Sequence, residues 1–199
     1  FSNPYNCRPI EGYENLISLS EVDAIYVATP HTSHFELTAE CLRQRKAVLC
    51  EKPMTINATE TMALIDLSRK NNTLLMEAFM YRTHPQTLET LKLCKEYFKD
   101  TDVKILSSFG FDAPVDKSHR LRNLNLAGGA ILDVGCYPLS MTRLIAGSLS
   151  DEPYLDPISI KLFGEETLKF YLYYVHEASF LSIYFIILKS GWLNECSTC

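Results

Sequence analysis

Hydrophobic and polar positions along the first part of the chain switch repeatedly between period 2 and period 3.6. Residues 22–29 are a β-rich apolar run stopped by Pro30, which reads as a strand. Ser33 and Glu36 then stand at capping-box spacing, and Phe35, Ala39 and Leu42 share one helical face. Arg43, Arg45 and Lys46 complement the carbonyl end of that helix. Residues 47–51 form the next strand. After the turn at Pro53, Asn57 and Glu60 repeat the capping spacing, and Met62, Ile65 and Leu67 give a helical stripe running to Lys70. Residues 73–78 read as a third strand.

Connections of this length are too long for hairpins, so the three strands pair in parallel through right-handed crossovers. The expected fold class is α/β: the C-terminal half of a doubly wound parallel sheet of the Rossmann type, followed by the start of an α+β open-sheet domain. Pro85 suits the first turn of a helix over 86–98, and 103–112 resembles a longer strand. A polar, basic loop covers 113–125. Gly128 and Gly129 open an apolar segment, 130–146, expected to be a helix that ends with Gly147 at C′ and kinks beside Pro138.

Composition narrows the function. Of 199 residues, 47% are apolar and 22% charged, which is globular rather than disordered composition, and 19 basic against 24 acidic residues leave a net charge of -5. Such a chain lacks the positive field that holds a phosphate backbone, so nucleic acid is not expected as a partner. The seven cysteines are odd in number and show neither a zinc spacing nor a disulfide framework. A reducing, cytoplasmic setting without a metal is therefore expected. Residues 1–9 contain no apolar signal-peptide core, and the apolar stretch 180–188 is far short of the roughly 20 residues of a spanning helix. No membrane partner is expected.

Open α/β sheets bind ligands beyond the carboxyl ends of their strands. Those positions hold Thr29-Pro30-His31-Thr32-Ser33-His34, then Glu51-Lys52-Pro53, then Phe79-Met80-Tyr81-Arg82. The runs V-A-T-P-H-x-x-H-x-E, C-E-K-P-M-T and G-G-A-I-L-D-V-G-C-Y-P resemble the glucose-fructose oxidoreductase/inositol dehydrogenase (Gfo/Idh/MocA) family over residues 13–147. Tyr137 in place of a histidine, together with M-Y-R, resembles most the branch of dihydrodiol dehydrogenases, NADP-dependent xylose dehydrogenases and glucose-fructose oxidoreductase.

The resemblance implies hydride transfer between a nicotinamide, NADP or NAD, and a hydroxyl or carbonyl of a small molecule, a cyclic diol or a sugar. It makes Lys52 and Tyr137 catalytic, with Tyr137 in the proton-transfer role. A phenol with pKa near 10 is a poor base at pH 7, and an adjacent ammonium favours the phenolate. Asp133, four residues before Tyr137, shares its face if the segment is helical, and is expected either to join Lys52 and Tyr137 as a substrate-binding residue or to anchor the lysine. Thr29, Pro30, His34, Glu51, Lys52, Pro53 and Arg82 are implied cofactor contacts, with His84 beside Arg82. Each has a plainer alternative: a solvated pair before a turn for Glu51-Lys52, a core tyrosine for Tyr137, capping groups for the histidines, a structural ion pair for Arg82. Ser140 stands where many relatives carry Asp, which weakens an inositol-specific assignment.

Two departures set limits. Dinucleotide sites normally contain G-x-G-x-x-G/A between a strand and a helix, whereas no two of the eight glycines here are separated by a single residue. The expectation is a truncated chain: 1–82 a partial dinucleotide-binding domain lacking its first β-α-β unit, 83–163 a partial α+β substrate and catalytic domain, and 164–199 an atypical tail rich in aromatics. Weak or absent cofactor binding by these residues alone follows. The resemblance admits a homodimer for the full-length form. The alternative function is a non-catalytic ligand-sensing or inert truncated protein on the same scaffold.

Overall fold

The computed structural model describes residues 7–98, 105–107, 109, 116 and 118–149, and the backbone of three further strands, Ser159–Lys161, Lys169–His176 and Ser179–Ile186. The chain divides into two compact units, residues 1–78 and 79–199. In the first, a short helix α1 (Tyr13–Ile17) precedes β1 (Ala24–Val27), α2 (His34–Arg43), β2 (Ala47–Glu51), α3 (Ala58–Asn71) and β3 (Leu75–Ala78). The three strands pair in parallel in the order β1-β2-β3. This is the expected βαβαβ arrangement, with strands shorter than the apolar runs that signalled them.

Strand parity decides what the sheet buries. Val27, Val48 and Cys50 point into a core completed by Ile17 and by Ala39, Cys41 and Leu42 of α2 and Leu64 of α3, with Ile25 and Leu75 packed against it. The opposite parity puts Tyr26, Leu49 and Met76 side by side across the three strands, and all three are exposed. Parallel sheets usually bury both faces; here one is packed.

Several local expectations change. Asn57 caps α3 as expected, its Oδ1 accepting from the Glu60 N–H at 2.9 Å. The buried anchor of α3, however, is Leu64, and Met62 is exposed. Ser33 forms no capping box. Residues His31–Ser33 make a 3-10 turn, and the Ser33 hydroxyl lies 2.8 Å from both Thr29 Oγ1 and Pro30 O, turned away from the α2 amides. Lys46 does not serve the end of α2. Its ammonium donates to Leu19 O and Val22 O, at 2.7 and 2.6 Å, fixing the approach to β1.

The second unit begins with α4 (Pro85–Phe98), which starts on the expected proline, and β4 (Ile105–Ser107). The segment expected to be one helix starts as a π turn, Ile131–Gly135, and continues as α5 (Cys136–Leu149). Pro138 lacks an N–H and its ring would crowd the carbonyl of Val134, and a widened turn just before it relieves that crowding. Gly147 lies inside α5 instead of ending it.

Three strands, β5 (Ser159–Lys161), β6 (Lys169–His176) and β7 (Ser179–Ile186), join β4 in a mixed sheet of order β4-β7-β6-β5. β6 and β7 pair antiparallel along their whole length. The aromatic composition that made the tail look atypical is what a strand pair favours. The flanks of the strand expected over 103–112 lie outside the described residues. Among the described residues no helix is long and apolar enough to cross a membrane.

Candidate active-site residues

Lys52 follows β2 directly, at a cis Lys52–Pro53 peptide. It is half-buried, and several backbone groups around it are met by side chains. The Lys52 N–H donates to Glu51 Oε2 at 3.1 Å, and the other carboxylate oxygen of Glu51 accepts from the Tyr26 hydroxyl. Pro53 O faces His34 Nδ1 at 2.8 Å. Met54 N–H donates to Glu77 Oε1 at 2.8 Å, and the Cys50 thiol reaches Met54 O at 3.7 Å. Glu51, expected at a cofactor, thus has one oxygen engaged by the turn and the other by Tyr26 of β1.

His34 opens α2 and is completely buried. Its Nε2 lies 2.8 Å from Thr29 O, so one imidazole spans the carbonyls of two loops, the one after β1 and the one after β2. With no exposed surface, the ring is placed to hold these two loops together. The His31 ring stands edge-on to it at 5.8 Å. Thr29 is half-buried, Pro30 exposed and Pro53 buried.

Burial also governs the thiol beneath the turn. Cys50 is pushed up to about 11, chiefly by desolvation and further by the carboxylates of Glu77 and Glu51. Cys41 is likewise raised to about 11 by desolvation. Neither thiol has thiolate character near neutrality.

Tyr137 belongs to the second unit, where α5 begins. Its hydroxyl donates to Met80 Sδ at 3.5 Å, and its ring meets Phe109 at 5.3 Å and Phe79 at 5.5 Å edge-on, with Tyr81 tilted at 6.2 Å. Such edge-to-face packing fixes ring direction while leaving the phenol at the margin. Asp133 sits in the π turn, nearly buried, with Arg120 Nη1 3.9 Å from its Oδ1.

Arg82 lies in the 3-10 turn Met80–Thr83. Its Nη2 donates to Ser140 Oγ at 3.2 Å, the Tyr81 hydroxyl donates to the same oxygen at 2.7 Å, and the guanidinium lies 5.9 Å from the centre of the Phe79 ring. Those contacts are a hydroxyl and a ring, not the ion pair of the plainer alternative. His84 is a capping group: its Nδ1 accepts the Gln86 N–H at 3.1 Å where α4 starts.

Sequence reasoning missed Tyr26, Glu77 and Phe109. Glu77 carried a signal, because a carboxylate inside the apolar strand Leu75–Ala78 needs a partner. Tyr26 and Phe109 carried none beyond strand parity.

A parallel sheet with its polar groups gathered just past the strand ends defines the class of dinucleotide-fold proteins. Residues 1–79 match the oxidoreductase family with NAD-binding Rossmann fold, and the chain belongs to this Gfo/Idh/MocA family. It is 37% identical over 136 residues to a D-xylose 1-dehydrogenase (NADP(+)) of Haloferax volcanii, covering 68% of this chain and 42% of that one. It is 35% identical over 146 residues to a trans-1,2-dihydrobenzene-1,2-diol dehydrogenase of Xenopus tropicalis, 73% and 44% of the two chains. A 3-ketoreductase from Actinomadura kijaniata, solved with NADP and TDP-benzene, superposes at TM-score 0.76 with 27% identity, over 94% of this chain and 57% of that one. The chain therefore spans less than half the length of these curated relatives.

Proposed function

We propose that the chain carries the proton-transfer residues of an NADP-dependent oxidoreductase that acts on a hydroxyl or carbonyl of a sugar or cyclic diol. The observation that carries this reading is the retention of Lys52 past β2 and of Tyr137 after the buried Asp133, in a chain whose relatives include a xylose dehydrogenase and a dihydrodiol dehydrogenase. The nicotinamide, when bound, supplies the hydride acceptor or donor. The positions around it would be Thr29, Pro30, Lys52 and Arg82, which retain exposed surface, whereas Pro53 is buried in this structure. No G-x-G pair occurs in the sequence, so these residues offer no such turn for a pyrophosphate to pack against.

In the oxidation direction Tyr137, as phenolate, takes the substrate hydroxyl proton while the carbinol carbon loses hydride; in reduction the phenol returns it. The Lys52 ammonium favours the phenolate, and Asp133 accepts a hydrogen bond from a second hydroxyl of a diol. Cytoplasmic placement accords with the buried thiols of Cys41 and Cys50, which form no disulfide.

The test is NADP(+) reduction with D-xylose and with trans-1,2-dihydrobenzene-1,2-diol, using protein expressed from the native coding sequence. Lys52→Met and Tyr137→Phe should each lower kcat by about 10²- to 10⁴-fold. Unchanged turnover in both variants overturns the reading. A second reading, a non-catalytic ligand-sensing or inert protein on this scaffold, is marked by sugar or NADPH binding without turnover or by neither.

A further inference from the structure

The backbone of residues 52–54 belongs to neither sheet nor helix, yet two of its polar groups are met by side chains from the neighbouring elements. Pro53 O is met by His34 from α2, and Met54 N–H by Glu77 from β3. The two ties come from opposite neighbours of β2, since β2 lies between β1, which leads into α2, and β3. Both are short, at 2.8 Å, and the second ends on a carboxylate, the stronger kind of acceptor for a backbone N–H. Glu77 faces Cys50 across the β2–β3 register, so its carboxylate sits where the strand gives way to the turn.

We propose that Glu77 and His34 are positioning residues for Lys52. By holding the residues on its C-terminal side at two points, they fix the direction in which the Lys52 side chain leaves β2. A carboxylate inside an apolar strand and an imidazole with no exposed surface are costly to bury, and each tie offsets part of that cost. The proposal rests on the reading that Lys52 is the working cation, but its test reads the turn directly and needs no turnover.

Amide exchange and the ¹³C signal of reductively methylated Lys52, assigned through Lys52→Arg, are followed in the 199-residue chain. In the wild type, Met54 N–H should exchange slowly although it lies outside the helices and strands; exchange as fast as in an unstructured peptide overturns the proposal without any variant. Glu77→Ala should speed exchange at Met54 by about tenfold or more, as expected for loss of a charge-assisted hydrogen bond, and should move the Lys52 signal toward those of exposed lysines. Glu77→Gln keeps an accepting oxygen and should restore both. His34→Gln should move the Lys52 signal, whereas Thr38→Val, a buried change that touches neither tie, should leave it in place. A Lys52 signal unmoved in folded Glu77→Ala and His34→Gln overturns the proposal. Full turnover in Lys52→Met would instead remove the catalytic reading while leaving these results standing.

Discussion

The two segments that carry the key side chains are built in opposite ways. Around Lys52 the backbone is held from outside, by Glu51, His34 and Glu77 acting on residues 52–54. Around Tyr137 it is the ring that is held, by Phe79, Tyr81 and Phe109, while the backbone beneath follows from a π turn and from the tight loop that precedes it. A flexible four-carbon ammonium is directed best by fixing the point from which it departs, since its own rotamers stay soft. A phenol has two rotatable bonds and a large face, so packing its ring directs the hydroxyl. The chemistry of each side chain thus selects which part of its surroundings must be rigid.

The strongest break on the Tyr137 side is expected at Gly128. A Cβ there would lie 2.6 Å from Arg120 O and 2.8 Å from both N and O of Asn123, all backbone atoms that cannot rotate aside. Gly128 N–H and Gly129 N–H also donate to Asn123 O and Leu121 O, at 2.9 Å each, so the clash falls on the turn that delivers the chain into the π segment. Gly128→Ala should cost about 1–3 kcal/mol or more in urea unfolding and broaden the Tyr137 ring resonances, while Met54 amide exchange in the other unit stays as in the wild type.

On the Lys52 side the corresponding probe is pH. The Cys50 thiol releases its proton near pH 8.5 in the unfolded chain but only at about 11 in the folded one. Between those values the unfolded state binds fewer protons, so stability is whole below about pH 8.5 and declines as pH rises toward 11, by up to about 1.4 kcal/mol per pH unit for each such thiol. Cys41 contributes in the same direction. Urea midpoints from pH 8 to 11 should fall less steeply in Cys50→Ala than in the wild type. Equal slopes would mean that the thiol is open to solvent and that the root of the turn is loose.

How far the sequence revealed this arrangement depended on the range of the interactions. The βαβαβ order, the Asn57 cap and the Ala39–Leu42 face were legible, because each rests on neighbours within a turn or on strand parity. The E-K-P and D-x-G-x-Y motifs marked Lys52 and Tyr137 by resemblance. What stayed hidden joins distant parts of the sequence: His34 to Pro53, Met54 to Glu77, Tyr81 and Arg82 to Ser140. The sequence marked His34 as a cofactor contact by resemblance and gave no sign of the two backbone carbonyls that its ring faces. The strands of the tail were obscured differently, by an aromatic richness that read as foreign to the fold although it suits paired strands.

The smallest effect separates the two readings of Gly147. As a C′ residue it would adopt a left-handed conformation that strains any side chain, and an alanine there would destabilise the helix. In the structure it is an interior residue of α5, which runs on to Leu149, and a Cβ added to it would meet nothing within 4 Å. An interior glycine gives up about 0.5–1 kcal/mol relative to alanine through its greater freedom in the unfolded chain. Gly147→Ala should therefore stabilise the protein by that amount, raising the thermal midpoint by about 1–4 °C for a chain of this size. The ring contacts of Tyr137, about three turns earlier in α5, should be unchanged in aromatic NMR spectra. A lowered midpoint would return the helix end to Gly147 and shorten the support beneath Tyr137 by the residues beyond it, whereas a raised one identifies α5 as the rigid rod on which the aromatic cluster is mounted.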